Sequence, residues 1–440
     1  MVRRILFAVL TVAFGAFAGA FAWAFFFLMN TGIDLLWHRL PAALAGAGLP
    51  PAAYPIMLCT LGGVAIGLFH RRHGDLPDDM NAVLAQVRAT GRYGYDRLGA
   101  SFAGALLPLL FGGSVGPEAG LTGVIAGLCT WVGDRLRFVG AEMRELADAG
   151  TAAVVSAVFA APLFGMAVPL VGAADDSEGR GVFASEVRLG ASKPLKAVVY
   201  VLAVAGALGA MALLRAAFGG GGGLPHFSAV ALGVPELAWA LPIAAAGAAA
   251  GWLFFPCGAL ARWLAGRLGA RPVAQGVLAG AVLGLIGAAL PFALFAGEAQ
   301  VEVLAGEWTG LAAGTLIATG FAKVLATQLC LGLGWRGGHF FPIIFAGISI
   351  GYGCAALTGV DPTFALCVAS AALMGAVMRQ PVMTALLLFL VFPVKAAPAL
   401  LVAAALGAMV PVPARWMGSE APRGRSGSSS AAPSAARRGA

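Results

Sequence analysis

Two stretches decide the reading of this chain: FGGSVGPEAG at Phe111–Gly120 and WRGGHFFPII at Trp335–Ile344. Each sets Gly-Gly, three further residues and a proline between apolar segments. Proline lacks an N–H and has a fixed φ, so it fits the first turn of a helix. Pro117 and Pro342 are therefore expected to start helices. The residues just before them would present unpartnered N–H groups at the positive end of a helix dipole. Glycine lets backbone come close to a bound ion. Two such ends aimed at one point would hold an anion with little formal charge, and an ion held by partial charges also leaves readily.

The surroundings of these stretches are lipid-like. The 440 residues are 60% hydrophobic and 11% charged, with a mean hydropathy of +0.88. Soluble domains carry about 25% charged residues, so this is a polytopic membrane chain embedded in a lipid bilayer. Apolar runs at Ile5–Met29, Ala197–Leu214, Leu237–Leu260 and Gly310–Leu333 each reach the roughly 20 residues a helix needs to cross hydrocarbon. The 63 glycines suit close helix packing in lipid. The opening MVRRILFAVLTVAF has the charged start of a signal peptide. Its apolar run continues to Met29, so it reads as a retained first membrane segment with Arg3 and Arg4 inside.

The net charge of +8 does not imply nucleic acid. Arg71, Arg72, Arg88, Arg92, Arg97, Arg423, Arg425, Arg437 and Arg438 are spread over short loops and the tail, the pattern of positive-inside loops. The N-terminus, the Arg71–Arg97 loop and the C-terminal tail are thus expected in the cytoplasm, with the protein in the cell inner (plasma) membrane. Cys59, Cys129, Cys257, Cys330, Cys354 and Cys367 lie in or beside apolar segments without a CxxC pair, and read as small packing residues. No metal or cofactor is expected. The apolar runs hold no paired aspartates, HExxH or Ser-His set, which argues against an intramembrane enzyme.

The two glycine stretches also belong to a larger echo. AVFAAPLFGMA at Ala157–Ala167 and AVMRQPVMTAL at Ala376–Leu386 follow them in the same order. A recurrence at about 220 residues indicates an internal repeat, and many membrane transporters are built from two such repeats meeting at interrupted helices. The expected fold is all-α, with two inverted-topology repeats of short, tilted and interrupted helices. Residues 1–217 form the first repeat with an N-terminal helix. Residues 218–233 are a glycine-rich linker, 234–417 the second repeat, and 418–440 a disordered cytoplasmic tail poor in large apolar residues.

The residues AKVLATQLCLGLGWRGGHFFP at Ala322–Pro342 resemble the CLC chloride channel and transporter family, whose long helix leads into a GGxFxP signature. MGAVMRQP at Met374–Pro381 and FAAPLFG at Phe159–Gly165 resemble two further family segments in the same order. The resemblance implies the CLC fold, a homodimer with one pore per subunit, and chloride or a similar small anion as partner. It implies that backbone N–H groups of His339 and Phe340, beside Gly338, face the ion. It also implies divergence. The family's GSGIP loop falls on His73–Pro77, with Gly74 at the serine position. Its GREGP loop falls on Gly113, Ser114, Val115, Gly116 and Pro117, with Val115 at the gating glutamate. No tyrosine follows Tyr352, and the internal glutamate position falls near Val171–Gly172, before Asp175, Asp176 and Glu178. The expected function is passive, proton-uncoupled anion transport. The alternatives are proton-coupled antiport using Glu118 and transport of another anion such as fluoride.

The expected anion-binding residues are Gly74, Ser114, Val115, Gly116, Gly338, His339 and Phe340. Glu118 has two readings, a displaced gate that mimics the anion or a first-turn carboxylate on a helix dipole. The His339 ring is expected to point away while its N–H serves. Lys323 and Arg379 either draw anions in, or snorkel or cap a helix end. His70 and His73 are expected in a solvated loop.

Overall fold

The computed structural model describes residues 2–44, 50–78, 82–83, 86, 93–135, 193–220, 224–413 and 415–416. Among them the chain is almost wholly helical. In the first half, α1 is Val2–Asp34, continued through a π turn to Leu44; α2 is Ala53–His73, α3 Leu98–Leu110, α4 Glu118–Arg135 and α5 Lys193–Phe218. In the second half, α6 is Val234–Leu268, α7 Pro272–Ala289, α8 Glu298–Glu307, α9 Ala313–Gly332 and α10 Phe340–Thr358. The chain ends through α11 (Pro362–Met378), α12 (Pro381–Leu388) and α13 (Ala397–Ala408). Seven helices among the described residues are long and apolar enough to cross a membrane. The FAAPLFG segment, the position at Val171–Gly172 and the tail from Gly418 lie outside the described residues.

The core is centred on α10, whose residues Phe340–Ala355 are all buried. A helix apolar and buried all round is an interior element, not a lipid-facing one. It packs between α9 and α11, which in turn pack on α6 and α13. Leu237 and Leu241 of α6 and Val402 of α13 are exposed instead, as an apolar exterior facing lipid requires.

Glycine sets how close these helices come. On the α2–α7 seam, a Cβ built on Gly63 would fall on the Gly276 carbonyl, and one built on Gly276 on the Gly63 carbonyl. The two backbones are therefore in direct contact, the close approach that small residues permit in lipid. We expect Gly276→Leu to destabilise the protein by about 1–3 kcal/mol, the usual range for overpacking. Gly266→Leu, at a position with open space around its Cβ, should stay within roughly 0.5 kcal/mol of the parent. Thermal melting in detergent tests this; equal melting of the two variants would mean that the seam is not close-packed.

Candidate functional site

The sequence builds the same backbone device twice. At the end of α3, Gly112 takes φ +82 and at the end of α9, Gly334 takes φ +92. Each left-handed residue is followed by a closing bond back into the helix, Gly113 N–H to Pro108 O at 2.8 Å and Trp335 N–H to Cys330 O at 2.8 Å. This is the glycine-terminated helix end. Four residues beyond each left-handed glycine comes another glycine, Gly116 or Gly338. Six beyond it, α4 begins at Glu118 and α10 at Phe340.

The two devices meet. Gly116 and Gly338 form an isolated antiparallel bridge, with Gly116 N–H to Gly338 O and Gly338 N–H to Gly116 O both at 2.7 Å. The equivalent positions lie 222 residues apart, as do Glu118 and Phe340. The shared GGxxxP strings are offset by three residues from this register, since they pair Gly112 with Gly337. The proline roles differ accordingly. Pro117 stands just before α4 and its carbonyl accepts the Leu121 N–H at 3.0 Å. Pro342 is the third residue of α10, so this helix starts two residues earlier than the sequence suggests. Both positions lie in a first turn, where the missing N–H costs no internal bond.

Glu118 occupies the space between the loops. A Cβ built on Gly116 or on Gly338 would fall on its carboxylate, so only glycine fits at either place while the carboxylate lies there. Glu118 Oε1 accepts the Phe340 N–H at 2.8 Å, and the N–H groups of Phe341 and of Glu118 itself also face the carboxylate. Its Oε2 has no hydrogen-bond partner among the described residues. The side chain is 1% exposed. Thus one buried carboxylate lies where the positive ends of α4 and α10 converge.

Most of the expected residues gather here, with different duties. Gly116 and Gly338 spend their N–H groups on each other, and the Phe340 N–H serves Glu118. The buried Ser114 hydroxyl is 3.0 Å from Thr327 Oγ1 on α9, so it ties the first loop to α9. Val115 is buried and faces Gly337. The His339 ring packs on Phe254 and Phe340, at centroid distances of 5.5 Å and 4.6 Å. Gly74 caps α2 with its N–H on the His70 carbonyl at 2.9 Å, so that N–H is already committed. His70 itself is in α2 and buried, not in a solvated loop; its Nδ1 lies 3.0 Å from the Gly74 carbonyl oxygen. Arg379 takes the capping role, donating to the Val410 carbonyl at 3.0 Å.

A family model described as Voltage gated chloride channel matches residues 57–411. The chain belongs to this CLC family. An ion-transport protein named YfeO from Escherichia fergusonii is 29% identical over 336 residues, covering 72% of this chain and 71% of that one. The YfeO relative from Salmonella paratyphi A is 27% identical over 336 residues, with 72% of each covered. The crystal structure of a CLC-type fluoride/proton antiporter matches with TM-score 0.67 at 19% identity, covering 92% of this chain and 95% of that one. A slow cyanobacterial Cl-/H+ antiporter matches with TM-score 0.72 at 17% identity, covering 91% and 94%. The architecture of this chain is the CLC fold.

The CLC site has a support that the motifs did not announce. Between α7 and α8 the chain breaks at Leu290–Gly297, and Phe295 N–H donates to the Gly112 carbonyl at 3.0 Å. Lys323, fully buried on α9, neither snorkels nor faces the loops. Its Nζ donates to the Leu294 and Phe295 carbonyls, both at 2.6 Å, and lies 4.9 Å from the Phe345 ring centre. One buried amino group thus fixes the break that holds Gly112. Pro291 and Gly297 in a membrane-height segment were the available signal. We expect Lys323→Met to lower stability by about 2–4 kcal/mol, because two buried carbonyls lose their donor. Lys323→Arg should lose less. Melting of both variants checks this, and a Lys323→Met protein as stable as the parent would show the break to be held by other contacts.

Proposed function

We propose that this chain carries small monovalent anions across the membrane, chloride first, through the place that Glu118 fills. The single observation behind this reading is the position of the Glu118 carboxylate between two helix N-termini. A carboxylate in that position is a stand-in for an anion: it is negative, accepts the same N–H groups, and must leave before an anion can take them. Protonation weakens its hold, because a neutral carboxyl interacts less with a positive helix end. Glu118 is then the gate, displaced three residues from Val115, where the resembling family carries its own.

We read the movement as passive, without obligatory proton exchange, because a valine at position 115 cannot carry a proton. The position of Glu118 favours one second reading, antiport in which the same carboxylate carries a proton each time it yields to an anion. Chloride and fluoride remain the two candidate ions, and the fluoride/proton antiporter among the similar structures supports testing both. We place the protein in the inner membrane as a homodimer with one pathway per subunit. Arg71 and Arg72, at the end of α2, mark the cytoplasmic face by the positive-inside rule.

The test is flux from liposomes, followed with chloride- and fluoride-selective electrodes. Parent flux should rise as pH falls from 8 to 5, since protonation releases the cradle. Glu118→Gln should be faster than the parent at neutral pH and insensitive to pH. Retention of the parent pH profile by Glu118→Gln would exclude Glu118 as the gate. A chloride gradient that drives protons uphill in the parent would select antiport over passive movement.

A further inference from the structure

One ion pair joins the two halves near this cradle. Arg336 stands immediately before Gly337 and Gly338, and its Nη2 lies 3.1 Å from Oδ2 of Asp75, the residue after Gly74. The two partners differ in exposure. The Asp75 side chain is 75% exposed and that of Arg336 is 24% exposed. The loop carrying Asp75 lies against the cradle helices, since Cβ atoms built on Gly104 of α3 and Gly120 of α4 would meet Leu76 and Pro77. On the inner side, the buried His70 ring is 3.7 Å from Asp75 Oδ1, and the Gly334 carbonyl also faces that ring. A largely buried guanidinium thus stands two residues before the cradle residue Gly338, paired with an exposed carboxylate.

We propose that Arg336 is an anion-receiving site at the mouth of the pathway, and that Asp75 occupies it as a displaceable counter-ion. The inference rests on the anion-transport reading above and names a second site for the same ion class. Guanidinium offers several N–H donors and stays charged at any physiological pH. A small monovalent anion arriving from solution can replace the exposed carboxylate at this guanidinium. It then lies next in sequence to the Gly337–Gly338 backbone, where partial charges take over. The exposed pair itself contributes little to stability. Its value lies in concentrating anions at the opening, as a charged cleft does.

An ordinary structural ion pair and a receiving site differ in sign. If the pair only braces two loops, removing either partner harms transport in the same way, and removing both restores it. If Arg336 receives the anion, removing Asp75 frees it and removing Arg336 abolishes it. The experiment is initial chloride efflux from liposomes against chloride concentration, at low ionic strength so that screening does not hide the effect. We expect Asp75→Asn to lower the half-saturating chloride concentration by about threefold to tenfold, and Arg336→Gln to raise it by a similar factor, as expected for one elementary charge close to the ion. The double variant should behave as Arg336→Gln. Arg336→Lys, which keeps the charge, should stay near the parent.

Asp75 lies on an exposed loop, so Asp75→Asn decides the matter even where Arg336→Gln does not fold. An unchanged or raised half-saturation in Asp75→Asn overturns the proposal, as does a double variant restored to parent behaviour. Parent protein that moves no anion at all would instead overturn the transport reading, and this site with it. Normal parent flux with unresponsive variants overturns the receiving site alone.

Discussion

Two helix N-termini pointed at each other inside a membrane repel unless something negative lies between them. Everything at the centre of this fold answers that constraint. Glu118 supplies the charge from the first residue of α4 and delivers it to the first N–H of α10. The Gly116–Gly338 bridge fixes the separation. Because both bridge residues lack a side chain, the carboxylate can lie directly against the backbone. α10, buried from Phe340 through Ala355, can keep its N-terminus in the interior because its first donors have an acceptor there. An unsatisfied donor in such surroundings costs about 1–3 kcal/mol.

This arrangement also accounts for what the amino-acid sequence disclosed and what it hid. Apolar runs and low charge made the membrane class legible, and GGxFxP with its lead-in made the family legible. The strings GGSVGP and GGHFFP correctly marked two loops that meet. They hid the register, because the string match aligns letters while the structure aligns backbone states. The equivalent residues are the left-handed Gly112 and Gly334, and nothing in an abundant glycine composition distinguishes a left-handed glycine from its neighbours. Glu118 was visible as an acid beside a proline, but whether it pointed inward depended on the partner loop 222 residues away. Lys323 and the Leu290–Gly297 break were hidden for a similar reason. A lysine in an apolar helix reads as snorkelling until the carbonyls that receive it are located.

The two loops are alike in backbone and unlike in chemistry. At the residue that opens each inner helix, one half has glutamate and the other phenylalanine. Two carboxylates there would repel each other across a short gap, and none would leave two helix ends without an acceptor. One carboxylate satisfies both ends. A site filled by a single internal anion has two simple states, occupied by its own carboxylate or occupied by an ion from solution. On the anion-transport proposal, like backbone with one acid would therefore give a switchable site.

The distribution of full and partial charge follows from the same requirement. A fixed cation in the cradle would compete with release, since one charge at close range in a medium of low dielectric binds strongly. The two basic side chains near the centre are accordingly kept from the cradle. Lys323 is spent on the carbonyls of the Leu290–Gly297 break, and Arg336 is turned toward the exposed Asp75. At Arg336, on the same proposal, a full charge in contact with water would attract without trapping. Deeper in, on the anion-transport proposal, helix ends and N–H groups would hold an anion by partial charges that Glu118 can match and displace. The order from guanidinium to backbone is thus the order in which solvent screening is lost. On that proposal it would let attraction persist along the path without any one position becoming a sink.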